Sequence, residues 1–150
     1  MLCLFLASCS DDDDTRINEI NKQKLLEIVN SYRAKKCNCG SNELGPVPPV
    51  KWNANLERAA KQHTDYMNKT GNFSHFWADG TTPGQRIYKN NYDYSFCGEN
   101  IASGNFTEER VVQEWMNSPS HCEKIMNGNY KEMGIAKTGN YWAQEFGAPR

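Results

Sequence analysis

Apolar residues recur at helical spacing over residues 15–36, where Ile17, Ile20, Leu25, Ile28, Val29 and Tyr32 share one side, and this predicts an amphipathic first helix. A second helix is predicted over 53–69: Asn53 suits an N-cap, Leu56, Ala59, Ala60, His63, Tyr66 and Met67 follow the i, i+3, i+4, i+7 pattern, and Gly71 stands where a C-cap belongs. Thr82-Pro83 opens a short helical turn. Thr107 caps a predicted third main helix over 107–117, with Val111, Val112, Trp115 and Met116 as its apolar face. Ser118-Pro119 starts a short helix with His121, Ile125 and Met126, and Ser118 is its expected N-cap. Strands are predicted at 99–102, 131–137 and 141–146, the last two joined by the hairpin pair Gly139-Asn140. Residues 37–50, rich in Gly and Pro, read as a loop, and most of 90–100 reads as irregular. Helices first and an antiparallel hairpin last give an α+β fold class.

The 150 residues have room for one domain. A formal charge of −1 excludes nucleic-acid binding by bulk charge, because no basic excess exists to displace phosphate counterions. The pattern changes character at the N-terminus. Met1 to Ala7 is apolar, Ser8-Cys9-Ser10 follows, and Asp11 to Asp14 form an acidic run. This order reads as a short signal segment with a small-residue cleavage site. Leu6-Ala7-Ser8-Cys9 resembles the bacterial lipobox, which implies cleavage before Cys9 and lipid attachment to it. The expected organisation is a lipoprotein signal peptide over 1–8, the lipid-attachment cysteine and acidic linker over 9–16, and one folded domain over 17–150. The chain is then expected to be exported and held at the cell envelope, outer membrane or cell surface by its lipid.

Cysteine usage agrees with export. With Cys3 removed and Cys9 lipidated, Cys37, Cys39, Cys97 and Cys122 remain, an even number that suggests two disulfides. A Cys37–Cys39 bond is disfavoured by the single intervening residue, so Cys37 and Cys39 are expected to pair with Cys97 and Cys122, in an order the sequence leaves open. A zinc site built on Cys37-x-Cys39 is the rival reading. It lacks the usual Cys-x₂₋₄-Cys spacing and a second pair.

Three histidines are present. His63 lies on the inner side of the second predicted helix and reads as a core residue; His75 stands among Phe73, Phe76 and Trp77, and His121 follows Ser118-Pro119-Ser120. Cys97-Gly98-Glu99-Asn100-Ile101-Ala102 resembles the signature of the CAP superfamily, which groups cysteine-rich secretory proteins, insect venom antigens and class 1 plant pathogenesis-related proteins. Trp115-Met116-Asn117-Ser118-Pro119-x-His121 is similar to its bacterial branch. Asn30-x-x-Arg33, Val50-Lys51-Trp52, Ser74-His75, Met133-Gly134-Ile135 and the run from Tyr141 to Phe146 follow in the family's order. The resemblance implies an α-β-α sandwich with a small antiparallel sheet between helical layers. It also implies a cleft in which His75, His121 and Glu99 meet, with Asn100 beside them and Ser118 in place of a second glutamate. Two imidazoles and a carboxylate match the ligand set of a zinc site with an open position. Glu99 could alternatively orient a histidine or act as general base. The implied function is a binding or interaction module for a lipid, glycan or cell-surface partner. A metal-dependent hydrolase using His75, His121 and Glu99 is the alternative, and a third reading has exposed aromatics such as Tyr92 and Tyr94 carry partner binding over a vestigial cleft.

Overall fold

The computed structural model describes residues 19–150, so the expected signal segment, Cys9 and the acidic run lie outside the described residues. Helix α1 spans Lys22–Arg33, with the Asn21 side chain accepting from the Lys24 amide. It is shorter than its periodicity predicts: Ile20 still packs on the core, but Asn21 stops the helix, and Ala34 caps its other end. The Gly/Pro-rich segment contains strands β1 (Cys37–Cys39) and β2 (Asn42–Leu44), and β3 (Lys51–Trp52) follows it. Helix α2, Ala54–Thr70, begins at the Asn53 cap and ends at Gly71 with φ +69°. Helix α3 is Pro83–Lys89, opened by a reciprocal capping box between Thr82 and Gln85. Strand β4, Tyr94–Ser103, is longer than expected because it pairs with the distant strand β6 from Tyr94↔Pro149 to Ser103↔Tyr141. Helices α4 (Glu108–Asn117, capped by Thr107) and α5 (Pro119–Ile125) precede the terminal hairpin of β5 (Glu132–Thr138) and β6 (Tyr141–Pro149). Ser118 occupies the N-cap position of α5, but its side chain makes no capping bond there.

The main sheet has the order β3-β5-β6-β4, antiparallel except for the short parallel β3–β5 edge. Strand alternation divides its side chains between two helical layers. Met133, Ile135, Trp142 and Phe146 pack with Leu25, Val29, Val112, Trp115 and Ile125 of α1, α4 and α5. Ile101, Ala136 and Ala143 pack with Ala60 and Met67 of α2 on the opposite face. The result is an α-β-α sandwich, as expected. Tyr92 is only 4% exposed, and its hydroxyl donates to Glu132, so it is unavailable for the surface role suggested above; Tyr94 is half-buried.

The α2 layer sits so close to β5 that a Cβ at Gly134 would fall 2.1 Å from the Glu57 backbone nitrogen. Helix backbone cannot yield as a side chain can, so Gly134→Ala is expected to cost about 2 kcal/mol in equilibrium urea unfolding. A change within a few tenths of a kcal/mol would mean that α2 moves freely over the sheet.

The cysteines depart from the expected two disulfides. Cys39 bonds to Cys122, while Cys37 and Cys97 are thiols. The sheet explains the difference. Cys97 packs near Ile87 and Leu56 on the α2–α3 face, whereas Cys37, Cys39 and Cys122 belong to the opposite layer. A bond joining Cys97 to either Cys37 or Cys39 would have to cross the sheet, beyond a disulfide's reach.

Candidate functional site

Strand β4 lies at one edge of the sheet and carries Glu99 near its centre. Alternation turns Cys97, Glu99 and Ile101 toward α2 and α3, and Asn100 and Ala102 toward α4 and α5. Glu99 is 3% exposed. Its Oε2 accepts from Arg86 Nη2 at 2.5 Å, and its Oε1 lies 2.6 Å from His75 Nδ1. Arg86, fully buried on α3, also donates to the carbonyls of His75 and Thr81. Burial opposes the Glu99 charge, but the His75 hydrogen bond, the adjacent Glu145 carboxyl, and the nearby Arg86 and His63 hold this carboxyl below its ordinary value. An ionised carboxylate only accepts, so His75 Nδ1 carries the proton of that bond and Nε2 is left for other contacts. The His75 side chain is 40% exposed.

Two further side chains complete this network. His63 is fully buried on α2, and the Trp77 indole donates to its Nδ1 at 3.0 Å. Indole only donates, so the neutral ring carries its proton on Nε2, 3.7 Å from Glu99 Oε2. Burial pushes the His63 pKa down to about 4, which keeps the ring neutral near pH 7. Glu145 is the direct cross-strand partner of Glu99 on β6. It is completely buried, neither carboxyl oxygen has a hydrogen-bond partner, and Arg86 Nη2 is 4.0 Å away. Burial, then the Glu99 charge, raises the Glu145 pKa well above the ordinary carboxylate value. One guanidinium therefore serves one ionised and one neutral carboxyl.

That proton on Glu145 has a consequence for stability. A group whose folded pKa is raised contributes stability that is complete below its unfolded pKa and is lost as pH rises through the folded value. Glu145→Gln keeps the shape and removes the titration. The variant is expected to gain stability relative to the parent as pH rises from about 4.5 toward 8 in urea unfolding. A difference that stays constant over that range would mean that Glu145 is ionised in the fold.

His121 approaches β4 from the other side. Its backbone carbonyl accepts from Asn100 Nδ2, which also donates to Gln144 Oε1. Asn100 is fully buried and braces α5 against β6 instead of lining an open surface. The His121 ring lines a groove of about 270 Å³ with Phe106, Trp115 and Ser118. Burial, and then the Lys124 and His75 charges, lower its pKa. The structure thus joins His75 to Glu99 directly and places His121 and Ser118 together in the adjoining groove.

These positions test the zinc expectation. Among the described residues, only Cys37, Cys39 and Cys122 bring three metal-capable atoms within 4.8 Å of one another. His75, Glu99 and His121 do not form such a set, and both Glu99 oxygens are already engaged by Arg86 and His75. The arrangement does not fit a preassembled metal centre. The same engagement leaves Glu99 poorly placed as a general base, since it is buried and its lowered pKa makes it a weak proton acceptor.

Sequence reasoning did not single out Arg86, Trp77 or Glu145 as partners of this site. Glu145 carried a usable signal: a charged residue inside a strand whose neighbours Trp142, Ala143 and Phe146 are apolar toward both faces. Such a residue is buried with a partner or neutralised. Arg86, in a seven-residue helix, carried none.

The model of the cysteine-rich secretory protein family (CAP) matches residues 26–146. An uncharacterized Bacillus subtilis (strain 168) protein, YkwD, is 28% identical over 127 residues, covering 83% of this chain and 46% of that protein. An uncharacterized Borreliella burgdorferi protein is 30% identical over 132 residues, covering 87% of this chain and 79% of its own length. The chain spans less than half the length of the Bacillus subtilis relatives. Among solved structures, an extracellular SCP-domain protein of Bacillus anthracis superposes with TM-score 0.79 at 22% identity, over 95% of this chain and 45% of that one. A Borrelia burgdorferi outer surface protein gives TM-score 0.67 at 25% identity, over 85% and 89%. Family match, landmark order and sandwich agree: the chain belongs to the cysteine-rich secretory protein (CAP) family, in its bacterial form.

Proposed function

We propose that this chain works outside the cell as a binding module, and that the surface around His75 recognises a lipid, glycan or cell-surface partner without chemical turnover. One observation carries the reading. Glu99 is locked beneath Arg86, whereas His75 above it is 40% exposed and flanked in sequence by Phe73 and Phe76, 50% and 54% exposed. Large apolar side chains left in solvent around a polar group are the composition of a recognition surface. Similarity to proteins described as extracellular and outer surface proteins supports export. No helix among the described residues is long and apolar enough to cross a membrane, and the proposed anchor is lipid on Cys9. Incorporation of labelled palmitate that Cys9→Ala abolishes would support the anchor, and unlabelled protein in intact cells would remove it.

Binding is tested by co-sedimentation of the chain with purified cell-wall glycan and by flotation with phospholipid vesicles. The parent is expected to be retained saturably by one of them, and Phe73→Ser/Phe76→Ser, which leaves the His75–Glu99 hydrogen bond in place, is expected to lose retention while keeping its unfolding midpoint. Equal retention of parent and variant, or none by either surface, would overturn the reading. In calorimetry the parent is expected to show no saturable 1:1 zinc binding. Tight uptake lost in His75→Ala/His121→Ala would restore the metal centre and reopen the hydrolase.

A further inference from the structure

Cys37 is an unpaired thiol, and its sulfur lies within 4.8 Å of both sulfurs of the Cys39–Cys122 disulfide. Local structure explains the cluster. Cys37 and Cys39 are two residues apart on β1, so their side chains leave the same face of the strand. The β1–β2 hairpin turns at Gly40, which sits against Pro119 at the start of α5, the helix that carries Cys122. Either cysteine of β1 is therefore presented to the one on α5. The sulfurs differ in access: Cys39 and Cys122 are 1% and 0% exposed, whereas Cys37 is half-buried.

We propose that Cys37, Cys39 and Cys122 form a thiol–disulfide exchange site in which Cys122 is shared between two partners. The Cys37 thiolate attacks Cys122 Sγ, the Cys37–Cys122 bond forms, the Cys39–Cys122 bond breaks, and Cys39 leaves as a thiolate. Cys39 takes up a proton equivalent to the one Cys37 released to water, so the step is electron-neutral and needs no external oxidant. Attack on Cys39 is unproductive. Neighbours two apart on a strand have Cα atoms about 6.6 Å apart, at the outer limit for a disulfide. Burial of Cys39 favours the Cys39–Cys122 form at rest, because the apolar core solvates a departing thiolate poorly. The alternative form brings the disulfide to the half-buried Cys37, where a thiolate on another molecule can attack Cys37 Sγ: the mixed disulfide with Cys37 forms, the Cys37–Cys122 bond breaks, and Cys122 leaves as a thiolate that takes up the proton the attacking thiol released. The partner class this site takes is therefore an external thiol, and the exchange controls its access.

The test maps thiols in the full, folded chain. The protein is incubated at pH 8, quenched with acid and maleimide at intervals, digested, and sequenced by mass spectrometry across Asn38. The expected result is a Cys37–Cys122 cross-link with maleimide on Cys39, rising several-fold from its starting level, while Cys97 on the other face of the sheet is tagged throughout. Among Cys37, Cys39, Cys97 and Cys122, maleimide confined to Cys37 and Cys97 at every interval overturns the proposal. Cys39→Ser supplies a second reading. In a glutathione redox buffer it is expected to close Cys37–Cys122 and lose both tags, and a folded variant that keeps both thiols free also overturns the proposal. If that variant does not fold, the parent's map decides alone.

Discussion

Replacing Arg33 with Met is expected to lower unfolding free energy by about 4 kcal/mol, one of the two largest losses from a single change in this domain. Arg33 ends α1, is fully buried, and has no carboxylate partner among the described residues. Its guanidinium instead gathers backbone carbonyls from three segments: Pro48 before β3, Ile125 and Asn127 at the end of α5, and Tyr130 before β5. Burial pulls its pKa down to about 10, so the charge survives at neutral pH. The compensating negative ends are carbonyl dipoles, including those that close α5. Methionine fills the volume but leaves these acceptors with fewer donors in a place water reaches poorly. Arg33→Lys is expected to recover less than half of the loss, because an ammonium cannot span the carbonyls with a planar fork. Urea unfolding measures both variants. A loss under about 1 kcal/mol for Met would mean that water already satisfies the carbonyls.

Arg33 also shows which parts of this fold were legible in the chain. It stood out as part of Asn30-x-x-Arg33, yet nothing local announces which carbonyls it collects, since they lie 15 to 97 residues away. The elements read most accurately carry their own boundary chemistry. Asn53 and Gly71 enclose α2, and Thr107 opens α4, each through contacts within a few residues. The segments read as loop or irregular became strands for the opposite reason. β1 and β2 exist because Cys37 to Cys39 meet Asn42 to Leu44, and the first half of β4 because Tyr94 to Gly98 meet the last residues of β6. Neither pairing leaves a periodic trace in the short segment itself. The site divides in the same way. Motif residues His75 and Glu99 do touch, but His121 reaches β4 from the opposite face, a consequence of strand alternation that linear spacing conceals. The cysteine count suggested two bonds, whereas the sheet separates Cys97 from the other three.

The second large effect lies under the proposed recognition surface. Arg86→Met is expected to cost about 4 kcal/mol, because it leaves Glu99 ionised, buried and without its guanidinium. The loss should not be additive with removal of the charge it serves. Glu99→Gln alone leaves Arg86 buried beside a neutral amide and a neutral Glu145, and it is also expected to be destabilising. In the double variant neither charge remains, so its loss should fall short of the summed single losses by about 1–3 kcal/mol. Glu145 sharpens the test, because it already carries a proton. Without Arg86 the pair loses its remaining charge only when Glu99 is protonated as well, so the variant should be most stable at acidic pH. Stability of Arg86→Met should then rise as pH falls from 7 toward 5, while His63, kept neutral by burial, pulls the opposite way. A double-variant loss equal to the sum of the singles would show that Arg86 and Glu99 are held by their separate surroundings. In that event Glu99 would be free to serve the cleft, and the separation between a buried charge network and a solvent-facing His75 surface would fail. Strong coupling makes the network a foundation: Arg86 fixes Glu99, Glu99 fixes the His75 ring through Nδ1, and Nε2 is what the ring has left for a partner.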